Sequence, residues 1–81
     1  MKYDQMMDAD EQKFWMIVGN DIAQKRRSHG RGMAYDKRRV VMSQKALADV
    51  IGLSRCSVAN IEAGRQRVTF YIYTKIMEAL K

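Results

Sequence analysis

The residues of this 81-residue chain that can do chemistry are mostly cations. Lys25-Arg26-Arg27, then Arg31, Lys37-Arg38-Arg39 and Lys45 follow one another with only Asp36 opposing them. Such a cluster offers many charged donors to a polyanion and is the electrostatic footprint of a nucleic-acid binder. The charge is unevenly placed: residues 1–24 carry two basic against five acidic residues, and residues 25–81 thirteen against four, for a net charge of +6. The alternative use of such cations is plain solubility, which is ordinarily served by acids interspersed among them. Other chemistries lack their residues. One cysteine and one histidine cannot build a structural zinc site or an internal disulfide. No Cys/His pair, motif-set carboxylate pair or glycine-rich phosphate loop suggests an enzyme, and no catalytic residue, metal or cofactor is expected.

The elements that must position those cations are helices. The chain has no proline and 47% hydrophobic residues, which points to a single all-helical domain at the small end of what folds alone. No run approaches a membrane span, and the acidic N-terminus is unlike a signal peptide, so no membrane partner and a cytoplasmic location are expected. Asp8-Ala9-Asp10-Glu11 has the form of a capping box. It opens a first helix running to about His29, with Phe14, Ile17, Val18 and Ile22 expected on one apolar face and Gly30 as its stop. Residues 31–42 read as a basic loop. Ser43 is placed to cap a helix from Gln44 to about Ile51. Gly52 breaks it, Ser54 caps the next helix, and that one ends near Ala63-Gly64. Thr69 caps a last helical region through Leu80, with a kink near Ile72-Tyr73.

Residues 43–64 make joint demands that are all met. Two short helices joined by a tight turn must cross closely. Ala48 is small where the second helix presses on the first, and Gly52 stands where the turn needs a left-handed backbone. Leu47 and Ile51 face Val58 and Ile61, and Leu53 seals the turn. This is the order a helix-turn-helix requires.

The same residues, Ser43-Gln44-Lys45-Ala46-Leu47-Ala48, Gly52-Leu53-Ser54-Arg55-Cys56-Ser57-Val58 and Ile61-Glu62-Ala63-Gly64, resemble the Cro/repressor (XRE-type) helix-turn-helix family. Val18-Gly19, Ile22, Arg26 and Gly30 are similar to its first helix, and residues 69–80 to its fourth and fifth. The resemblance implies a five-helix domain, here with an N-terminally extended first helix (residues 1–10 as the extension) and a long basic loop between the first two helices. It implies binding to double-stranded DNA and usually a homodimer on a near-palindromic operator. The chain departs from the family pattern in the inserted loop and in Ala46, which replaces the acidic residue of the second helix's capping box.

In that geometry the helix from Ser54 enters the major groove. With Val58 and Ile61 inward, Arg55, Cys56, Ala59 and Asn60 are the expected base contacts. Arg55 suits guanine O6 and N7, Asn60 suits adenine N6 and N7, and Cys56 and Ala59 suit a thymine methyl. Gln44 matches the family's phosphate-clamping residue, with Ser54, Ser57, the Gly64 amide, Arg65 and Arg67 as further phosphate contacts. Arg31, Lys37, Arg38 and Arg39 either reach adjacent DNA or form a solvated loop. Arg26 and Glu62 resemble a pair that the family often joins as a buried ion bridge; separate surface placements are the alternative. Phe14, Trp15, Phe70, Tyr71, Tyr73 and Met77 are expected in the core or at a dimer surface. Two roles fit: a phage or mobile-element repressor, or the antitoxin of a toxin–antitoxin pair, in which residues 1–10, with Tyr3, Met6 and Met7, would hold a protein toxin. With no ligand domain after Leu80, control is expected through expression level, partner or proteolysis.

Overall fold

The computed structural model describes residues 7–29 and 42–81, which fold into four α-helices: α1 (Ala9–Ser28), α2 (Gln44–Ile51), α3 (Arg55–Glu62) and α4 (Phe70–Ala79). Each begins at a short polar side chain that takes up an otherwise unpaired amide. Asp8, Ser43, Ser54 and Thr69 accept from the amides of Glu11, Ala46, Ser57 and Ile72. The inserted loop, with Gly30, Arg31, Lys37, Arg38 and Arg39, lies outside the described residues except for Met42.

The α2–α3 turn follows from Gly52. Its φ of 79° is left-handed, its N–H donates to the Ala48 carbonyl at 2.9 Å, and the Leu53 N–H donates to the same oxygen at 3.0 Å. The chain thereby turns from α2 into α3 within three residues. Ile22 from α1, Leu47, Ala48 and Ile51 from α2, Val58 and Ile61 from α3, and Ile76 from α4 bury together, with Leu53 packed against them. Gly19 permits the close approach of α1 to α3. A β-carbon there would meet the carbonyl oxygens of Ile61 and Glu62.

Three sequence expectations need correction. Phe14 and Ile17 do not share the buried face of α1; they are 55% and 70% exposed. At about 100° per residue, Ile17 stands roughly 200° from Gly19, the position pressed on α3. Secondly, residues 70–79 form one unbroken helix where a kink or two helices were expected. The Tyr73 N–H donates to the Thr69 carbonyl at 2.9 Å, so the ladder starts where the kink was anticipated. Ten residues with no glycine or proline contain nothing to break it. Thirdly, the capping box is half formed: the Glu11 amide donates to Asp8 at 2.8 Å, but the Glu11 carboxylate turns elsewhere, as described below. No helix of the described residues is long and apolar enough to cross a membrane.

Candidate nucleic-acid interface

The outer side of α3 follows from its inner side. With Val58 and Ile61 buried, Ser54, Arg55 and Cys56 are exposed, and Ser57, Ala59 and Asn60 are half-buried at the margins. Lys45 on α2 and Arg65 beyond α3 are also exposed on flanking segments. Lys45 lies 3.3 Å from Asp49 in an exposed i,i+4 pair that solvent weakens.

Gln44 connects this surface to the interior. Its amide nitrogen donates to Glu62 Oε1 at 3.0 Å, while its oxygen accepts from Arg55 Nη1 at 3.4 Å. The same Glu62 carboxylate is bound by Arg26, Nε to Oε2 at 2.6 Å and Nη2 to Oε1 at 2.9 Å. These two side chains are 9% and 6% exposed, so they form the buried bridge, not two surface charges. Arg26 also donates through Nη1 to the Met42 carbonyl at 2.8 Å, holding the entry to α2. Burial alone would raise the Glu62 pKa. Hydrogen bonds from Arg26 and Gln44, with the charges of Arg26 and Arg27, outweigh burial and hold it below the ordinary carboxylate range.

Two of the residues expected to contact phosphate bond to partners within the molecule. Gly64 is buried at φ 80°, and its N–H donates to the Ile61 carbonyl at 3.1 Å, so this amide is not presented to a ligand. Met16 packs where a Gly64 β-carbon would stand. Arg67 grips Glu11 on α1 through both Nε and Nη2. Its guanidinium therefore ties the α3–α4 connection to α1. Trp15 Nε1 donates to the same carboxylate at 3.0 Å. The bonds from Arg67 and Trp15 lower the Glu11 pKa from 4.5 to about 2. Arg65 differs. Its guanidinium makes a long 3.3 Å contact to Asn60 Oδ1 and stays exposed.

Asn60 is thus turned with its oxygen toward Arg65. Pairing with adenine through both amide atoms would require that contact to open. The Glu11–Arg67 pair was missed by sequence reasoning; its members stand 56 residues apart, and no local pattern links them. Among the described residues, no group of three His, Cys, Asp or Glu side chains is placed to hold a metal.

Two short capped helices crossing at a left-handed glycine, the second with a polar face open to solvent, define a helix-turn-helix. Residues 42–81 match the helix-turn-helix family, and this segment belongs to it, in the XRE-type branch that the sequence resembles. No curated protein and no solved structure matches the chain.

Proposed function

We propose that this protein is a sequence-specific regulator of transcription that binds double-stranded DNA as a homodimer and represses a promoter. The α3 helix enters the major groove with Arg55 and Cys56 leading, Ala59 behind them, and Asn60 completing the face once Arg65 swings to a phosphate. Gln44, Ser54, Ser57 and Arg65 take the backbone on either side. The single observation that carries this reading is the exposed Arg55, held beside Gln44 on a capped helix whose other face is buried. An aliphatic-faced helix with no base-reading side chains would serve only packing.

Selection of bound duplexes from a random pool tests it. The expected product is a bipartite site with half-sites about one helical turn apart. Arg55→Ala relaxes one position in each half. Recovery of no preferred sequence by the wild type would refute the reading.

A further inference from the structure

The core leaves out several of the largest apolar side chains. Phe70 is 82% and Tyr71 67% exposed, beside the exposed Phe14 and Ile17 already described. Two of the four stand together. Phe14 and Phe70 line one open groove of about 340 Å³ between α1 and the start of α4, with Trp15, Val18, Val68 and Tyr73 as its floor and walls. An open apolar groove of this kind marks a site of association.

Its place in the fold keeps the reading helix free. Gly64, just after α3, presses on Met16, and Arg67 holds Glu11. The N-terminal half of α1 therefore lies by the far end of α3 from Arg55. Ile17 also points away from α3, opposite Gly19 on the helix. An occupant here leaves Arg55 and Cys56 open.

The charges around the patch favour one occupant. On the outer face of α1, Ile17 has Lys13 four residues before it and Asp21 four residues after. Asp21 holds Lys25 at 2.8 Å, yet its side chain is half-exposed and retains accepting capacity. A second α1 packed antiparallel about Ile17 sets Lys13 of each copy opposite Asp21 of the other. It also brings the two Ile17 side chains together and lays Phe14 and Phe70 against the partner. A pattern that is its own complement under two-fold rotation suits an isologous contact. We infer that this α1/α4 aromatic patch is where a second copy of the chain docks. The inference rests on the dimeric DNA-binding reading above and adds its surface.

Sedimentation of the full chain tests it, with far-UV circular dichroism as the check on folding. The wild type is expected to sediment as a dimer at tens of micromolar. Ile17→Glu and Phe70→Glu, at positions already open to water, keep the helical signal and weaken self-association at least ~100-fold. Val50→Glu, at an exposed apolar position on α2, leaves the dimer intact. Lys13→Asp and Asp21→Lys each weaken it, and the double variant restores it. A monomeric wild type, patch variants that remain dimeric, or a patch that takes up only a foreign protein such as a toxin would overturn the inference. DNA binding is measured in parallel on a single half-site. If that binding fails while Phe70→Glu still dissociates the dimer, the DNA-binding reading falls alone; if it holds and Phe70→Glu stays dimeric, the docking surface falls alone.

Discussion

Gln44 donates its amide to the buried carboxylate of Glu62 at 3.0 Å. The contact turns the Gln44 oxygen toward Arg55, so an ion pair deep between α1 and α3 reaches the tip of the solvent-facing helix through one side chain. A buried carboxylate needs every bond it receives. Arg26 and Gln44 supply three, and the orientation of Gln44 follows from that need.

Removing one partner of this pair should cost far more than removing both. Arg26→Met leaves Glu62 buried and uncompensated, and unfolding in urea is expected to show a loss of about 3–5 kcal/mol. The double variant Arg26→Met with Glu62→Leu should recover most of it. A double variant as unstable as the sum of the singles would mean zero coupling between Arg26 and Glu62 and would contradict this account of the bridge.

The Glu11 clamp predicts acid sensitivity with a definite sign. Its folded pKa of about 2 lies below the ordinary 4.5, so the folded form binds fewer protons across that interval. The stabilisation is complete above pH 4.5 and is lost as the pH falls toward 2. Glu62, also lowered, adds in the same direction. Melting temperature should therefore drop over this interval. Glu11→Gln should flatten the drop, and the fluorescence of Trp15, bonded to Glu11, should titrate with it. An unchanged profile in Glu11→Gln would count against the clamp.

Two left-handed glycines separate backbone strain from crowding. Around Gly52 a β-carbon finds open space, whereas at Gly64 it collides with Met16. Gly52→Ala should cost about 1–2 kcal/mol for the backbone alone. Gly64→Ala should lose that and roughly 1–3 kcal/mol more for overpacking. Equal losses in chemical denaturation would mean that Met16 moves aside freely.

Arg65 and Arg67, two residues apart, are expected to behave differently toward DNA. Arg65→Ala should lower the slope of log K against log salt by about 0.9, the signature of one lost phosphate contact. Arg67→Ala should leave the slope alone and lower the melting temperature by releasing Glu11. Matching slope changes in both variants would place Arg67 on the backbone as well.

The helix-turn-helix was legible because its signals are local. Ser43, Gly52 and Ser54 act within three or four residues of themselves, and Leu47, Ile51, Val58 and Ile61 fix the crossing by spacing. Arg26 and Glu62 came through resemblance rather than spacing. What escaped depends on distant chain segments meeting. The grip of Arg67 on Glu11, and the commitment of the Gly64 amide to Ile61, follow from how α1 lies across the α3–α4 connection. Phe14 and Ile17 were misplaced because intervals of three, four and five residues spread these positions over about 140° of the helix, too wide for one buried face. Burial of one helix face depends on which neighbour arrives.

The most direct measurement is a thermodynamic cycle between Arg55 and the guanine it is proposed to read. Affinities of wild type and Arg55→Ala would be measured on the selected half-site and on the same site with that base pair replaced, at one salt concentration. A coupling of about 1–3 kcal/mol is expected, with Arg55→Ala indifferent to the replacement. If Arg55→Ala instead loses the same affinity on both duplexes, the coupling is zero, Arg55 contributes only charge, and α3 does not read DNA through it.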